Sequence, residues 1–203
     1  YVRSPAELEG ADAIVLPGTK NTVQDLLWLH RSGMAAAIKE RAGKVPILGI
    51  CGGYQMLGRT ISDVRGLEGG APSEVEGLGL LDAATVFDAY AKRTVQVTGS
   101  LAEGGGEVRG YEIHMGVSGG GANLVNEGSV YGTYLHGIFD SAPVAAAVAE
   151  ALLHRKGLDA GAVRAVDRRA AQDAELDKLA AALRAALDMD AIDRIAGLER
   201  SAF

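Results

Sequence analysis

Val45-Pro46-Ile47-Leu48-Gly49-Ile50-Cys51-Gly52-Gly53-Tyr54-Gln55-Met56-Leu57-Gly58 runs from an apolar stretch through a cluster of glycines into a segment of helical composition. An apolar run without polar alternation predicts a strand buried on both faces, as in a parallel sheet covered by helices. At its end, Gly49-Ile50-Cys51-Gly52-Gly53 fits Gly-x-nucleophile-x-Gly, the turn that lifts a nucleophile off the carboxyl edge of a sheet on strained backbone. The glycines follow from geometry, because so sharp a turn brings neighbouring main chain close on both sides and a Cβ at either position would clash. Strand, sharp turn and helix in that order predict an α/β fold.

Outward from this turn the same alternation continues. Ala13-Ile14-Val15-Leu16 reads as a second buried strand, stopped by Pro17-Gly18 and followed by the polar turn Thr19-Lys20-Asn21-Thr22. Before it, Ser4-Pro5-Ala6-Glu7 is a capping box that opens a short helix, with Ser4 as N-cap, proline at N1 and Glu7 at N3. Val23, Leu26, Leu27 and Trp28 keep helical spacing, Gly33 interrupts, and residues 34–41 resume as a second helix closed by Gly43. Downstream, residues 66–79 are expected to be loop, residues 84–87, 94–98 and 108–114 short strands, and the glycine runs at 104–106 and 119–121 mobile tips. Residues 131–136 form one more strand ending at His136, and 143–155 an alanine-rich helix. Leu176, Leu179, Leu183 and Leu187 share one face of a long helix expected to dock on the sheet, and Asp190 is expected to cap a last helix carrying Ile192 and Ile195. No repeat and no linker divides the chain, so residues 1–203 read as one domain: a mostly parallel sheet flanked by helices, with additional antiparallel strands.

Composition narrows the function. With 203 residues, 48% hydrophobic and 23% charged, the chain has enough apolar residues for a sizeable core and too many for disorder to be its main state. No stretch approaches the roughly 18 uncharged apolar residues of a membrane span, and Tyr1-Val2-Arg3-Ser4-Pro5 lacks the layout of a secretory signal, so a cytoplasmic protein with no membrane partner is expected. A net charge of −6, with 20 Lys and Arg spread among 26 acids, argues against a nucleic-acid partner. One Cys and four His fall short of the usual metal-ligand sets, so no metal site is expected. The chain opens without methionine and is expected to be a piece of a longer protein.

Cys51 is then either a buried apolar residue or a reactive thiol. Its place in the elbow favours the second, and a helix N-terminus there would draw the thiol pKa down from its usual value of about 8.5. A thiolate nucleophile needs a proton partner. His30 and His154 sit beside Arg31 and Arg155 on helices and read as solvated, whereas His114 and His136 each end a predicted strand, where a site can form at the sheet edge. His136, followed by Gly137, ends the cleaner strand; a core histidine bonded to a carbonyl is the alternative for either.

Four segments in order, Leu16-Pro17-Gly18-Thr19-Lys20-Asn21-Thr22, Gly49 to Gly58, Gly110-Tyr111-Glu112-Ile113-His114-Met115-Gly116 and Gly132-Thr133-Tyr134-Leu135-His136-Gly137-Ile138-Phe139-Asp140, together resemble the glutamine amidotransferase domain of the cobyric acid synthase family. The resemblance covers roughly residues 1–155. Cobyrinic acid a,c-diamide synthases share the elbow but differ after the first strand, and remain the nearest alternative; a domain that only binds glutamine or a partner, and a cysteine peptidase on a related sheet, are the others.

The resemblance implies a class I glutamine amidotransferase-like, flavodoxin-like fold in which Cys51 attacks glutamine to form a γ-glutamyl thioester and His136 acts as base and then acid. Gln55 would hold the glutamine, and the backbone N–H groups of Gly18 and Gly52 would form the oxyanion hole. The wider class places a glutamate two residues after the catalytic histidine, where this chain has Ile138. The orienting group therefore stays open: Glu112 and Asp140 are candidates, His114 is a possible supporting residue, and surface ion pairs are the alternative for the two acids. The family's whole enzyme carries an N-terminal ATP-dependent synthetase domain. This chain has no Gly-x-x-x-x-Gly-Lys-Ser/Thr loop, so ATP and Mg2+ belong to that domain and no cofactor is expected in this one.

Overall fold

The computed structural model describes residues 1–89, 93–100, 107–119, 124–161 and 163–198. In chain order its strands are Ile14–Leu16 (β1), Ile47–Ile50 (β2), Thr60–Asp63 (β3), Ser73–Glu76 (β4), Ala84–Phe87 (β5), Arg93–Ser100 (β6), Glu107–His114 (β7), Val117–Ser118 (β8), Leu124–Glu127 (β9), Val130–Thr133 (β10) and Leu135–His136 (β11). The helices are Thr22–Arg31 (α1), Met34–Arg41 (α2), Gly52–Leu57 (α3), Ala142–Arg155 (α4), Arg168–Ala186 (α5) and Met189–Ala196 (α6). None among the described residues is long and apolar enough to cross a membrane.

Three sheets organise these strands. The first has the order β1-β2-β10-β9, with β1 and β10 parallel to β2 and only β9 antiparallel. Leu16 and Gly132 both lie level with Gly49, so the chain ends of β1 and β10 flank the elbow. The second, β11-β7-β6, is antiparallel, and the third, β4-β3-β5-β8, mixes both senses. Leu26, Ile38, Ile47 and Leu57 from the first sheet and its helices join Ile61 and Phe87 of the third in one buried core. A smaller cluster of Val108, Leu135 and Val144 sits under the second sheet.

The helix starts follow the sequence chemistry. Asn21 caps α1 by accepting from the Gln24 N–H at 2.9 Å, and Gly33, at φ 80°, supplies the left-handed residue that separates α1 from α2. The Glu7 carboxylate accepts from the Ser4 N–H as the capping box requires and also from the Ser4 hydroxyl, but the segment it opens, Pro5–Leu8, is a 3-10 turn.

Elsewhere the structure departs from expectation. Residues 66–79 contain β4, whose Ser73-Glu74-Val75-Glu76 alternation pairs antiparallel with β3 at a half-covered edge. Strands β3, β8 and β9 are too short or too polar to announce themselves. The strand expected over 131–136 is broken at Tyr134, where the chain leaves the first sheet and joins the second. Asp188, not Asp190, caps α6, accepting from the Ala191 N–H at 2.9 Å. Helix α5 does not dock: Leu176, Leu179, Leu183 and Leu187 stay about half exposed. Gly119 aside, the glycine tips lie outside the described residues.

Candidate active site

The elbow is strained as its sequence demands. Cys51 has φ 53° and ψ −113° and is the only non-glycine residue with positive φ among the described residues. It is held by its N–H, which donates to the Thr133 carbonyl at 2.8 Å, and by its carbonyl, which accepts from the Gln55 N–H at 3.1 Å. Strained backbone persists only where surroundings over-determine it. Here they do: a Cβ on Gly53 would stand 1.9 Å from the Leu16 carbonyl oxygen, so α3 packs against the end of β1 more closely than any side chain would allow.

The Cys51 thiol donates to the Ile113 carbonyl at 3.4 Å. Burial pushes it up, the Gly52 N–H opposes that, and the charge of Glu68 adds to it. The lowered thiol expected from a helix N-terminus is thus reversed, because α3 is only six residues long and the sulfur is shut away from water.

His136 closes β11, and burial lowers its pKa, the Ile113 backbone raises it, and His114 lowers it again. Its Nε2 is buried without a hydrogen-bond partner among the described residues. The Ile113 carbonyl on β7 thus holds the thiol and acts electrostatically on the imidazole beside it. Gly18 lies over them: a Cβ there would be 3.3 Å from both Cys51 Cβ and His136 Cε1.

Around this pair opens a pocket of about 690 Å³. Gly18, Thr19, Lys20, Glu68 and Tyr111 contribute to its lining, as do Gln55, His114 and Met115. Gln55 is 3% exposed; its Nε2 donates to the Met115 carbonyl at 2.9 Å and to Tyr134 Oη at 3.2 Å, while Oε1 accepts from the Thr22 hydroxyl at 3.2 Å. Tyr134 Oη continues to Ser118 Oγ at 2.6 Å, and Ser118 to Thr85 Oγ1 at 2.7 Å. This buried chain of polar groups ties α3 to the strand leading into His136.

Of the two candidate orienting acids, Glu112 faces His114, with Oε2 3.9 Å from Nε2, and Asp140 faces Arg168, with Oδ1 3.6 Å from Nε. Neither carboxylate hydrogen-bonds to His136. His30 and His154 lie exposed on helices away from the pocket. Sequence reasoning missed Ile113, Tyr111 and Glu68. A main-chain carbonyl has no residue signature, and Glu68 sits in a glycine-rich loop; the alternation of Tyr111 and Ile113 along β7 was the one available signal.

Comparison with known proteins shows the family of the chain. Residues 1–144 match the model of the CobB/CobQ-like glutamine amidotransferase domain. A probable cobyric acid synthase of Methanococcoides burtonii is 48% identical over 98% of this chain, which spans 42% of that protein. A cobyric acid synthase of Photorhabdus laumondii is 42% identical over 95% of this chain and 43% of its own length. The chain thus spans less than half the length of these relatives. A crystal structure of a glutamine amidotransferase shares the fold at a TM-score of 0.56 and 21% identity, covering 77% of this chain and 85% of that one. Matched over most of its length, and carrying the elbow and the histidine in one pocket, the chain belongs to the CobB/CobQ-like glutamine amidotransferase domain family.

Proposed function

We propose that this domain hydrolyses glutamine at Cys51 and supplies the ammonia to an ATP-dependent synthetase domain of the same polypeptide, which amidates adenosylcobyrinic acid a,c-diamide to adenosylcobyric acid. The observation that carries the reading is the meeting, beneath Gly18 and in one pocket, of a strained, buried cysteine and an imidazole. Cys51 Sγ attacks the side-chain amide carbon of glutamine as His136 Nε2 takes the thiol proton. The N–H groups of Gly18 and Gly52 receive the oxyanion, and Gln55 borders the glutamine. His136 returns the proton to the leaving nitrogen, ammonia departs, and a γ-glutamyl thioester remains on Cys51. Water, deprotonated by His136, then attacks the thioester to release glutamate and restore the thiol. ATP and Mg2+ act in the synthetase domain, and the relatives' extra length accommodates it.

The test is release of ammonia from glutamine by the wild-type chain, by Cys51→Ser and by His136→Ala. Cys51→Ser is expected to abolish it, and His136→Ala to lower kcat about 10²-fold or more, as loss of a general acid–base does. Hydrolysis unaffected by either change would refute the assignment.

A further inference from the structure

A histidine ring turns about a broad, nearly two-fold χ2 torsion, so an imidazole that is to serve as a base beside Cys51 needs a neighbour that fixes its plane. Among the described residues no carboxylate hydrogen-bonds to His136. The structure shows what lies against the ring instead: Tyr111, level with His136 in the β7–β11 register, stacks on it with ring centroids 5.1 Å apart and planes 7° from parallel.

The geometry points to Tyr111 as a positioning residue for His136: its ring face fixes the imidazole plane and so does the work of the acid in a Cys-His-acid triad. This rests on the glutaminase reading above and adds to it the residue that replaces the orienting carboxylate. Tyr111 is 45% exposed, so it is not a core residue kept for packing. Cross-strand aromatic pairs at this spacing hold each other's orientation. A second stack in the same region, His114 on Tyr134, shows the contrast: there the phenol is buried and its hydroxyl is bound to Ser118 and Gln55. The Tyr111 hydroxyl has no such partner among the described residues, so the ring alone carries the role.

The experiment compares the wild-type chain with Tyr111→Phe, which keeps the ring, and Tyr111→Ser, which removes it. Two readouts are taken: glutamine hydrolysis, and the ring nitrogen and carbon resonances of His136 in histidine-labelled protein. Tyr111→Ser is expected to lower kcat about 10-fold or more through misplacement of the base, with KM within about 2-fold of wild type. Tyr111→Phe is expected to restore wild-type turnover. The His136 signals should report one fixed ring environment in wild type and Tyr111→Phe, and an averaged ring in Tyr111→Ser. Equal losses in both variants would assign the role to the hydroxyl, and a rise in KM alone would make Tyr111 a substrate contact; either overturns the inference, as does a His136 spectrum unchanged in Tyr111→Ser. If the wild-type chain releases no ammonia, the glutaminase reading fails, and the spectra still decide whether Tyr111 holds the ring.

Discussion

Burial pushes the Cys51 thiol above its ordinary range and the His136 imidazole below its own, so near neutrality both members of the pair are uncharged at rest. The signs lead to a measurable pattern. Alkylation of Cys51 by iodoacetamide should be slow near neutrality and climb as pH passes 9.0, because only the thiolate reacts. Since the Glu68 carboxylate helps hold the thiol up, Glu68→Gln should move that rise to lower pH. Rates followed by mass spectrometry across pH check both; a plateau already reached at pH 7, or a profile unmoved by Glu68→Gln, contradicts the electrostatic account.

At the scale of elements, the segment after β3 shows how a loop brings Glu68 to the pocket. Asp63 is fully buried; burial alone would raise its pKa, but N–H groups from Gly69, Glu68, Leu67 and Gly66 outweigh this and hold it low. Its two oxygens accept from Leu67 at 2.7 Å, Glu68 at 2.9 Å and Gly69 at 2.7 Å. Glu68 in turn accepts the Thr22 N–H at 2.7 Å. Asp63→Asn turns an NH2 toward one set of donors and should cost about 1–3 kcal/mol, the price of unpaired buried N–H groups. Urea unfolding measures this, and a loss near zero would mean that the loop is held by something else. As a depressed carboxylate, Asp63 contributes stability that is present above the unfolded pKa of about 3.9 and is lost as pH falls through its lower folded value. Strands β1 and β2 and the elbow were readable because their apolar runs and obligatory glycines are local. Strand β4 was not, since its alternating glutamates acquire meaning only when β3 lies alongside. The break at Tyr134 was hidden for a related reason: residues 131–136 are locally uniform, and the change of sheet is decided by which partners stand on either side. The same limit applied to the site, where Cys51 and His136 advertise themselves and Ile113 contributes only an oxygen that every residue has.

For the whole molecule, the leucines of α5 separate periodicity from packing. They repeat at helical spacing, yet 47% to 56% of each remains exposed, while Leu57 is completely buried at the junction of α3 and the first sheet. Leu57→Ala should therefore cost about 2–5 kcal/mol, and Leu179→Glu less than about 0.5 kcal/mol. Chemical denaturation of this chain compares them, and equal losses would show that α5 packs in solution. The pattern that made α5 look docked is the same that builds any amphipathic helix, and it does not name a partner. The oxygen that gathers thiol and imidazole has a further consequence. Because it belongs to the peptide backbone, no codon specifies it: replacing Ile113 by most other residues leaves it in place, and only a change in the path of β7 removes it. The pair is thus insured against point mutation at its anchor, and heritable variation in that anchor must come from insertions, deletions or prolines that re-route the strand.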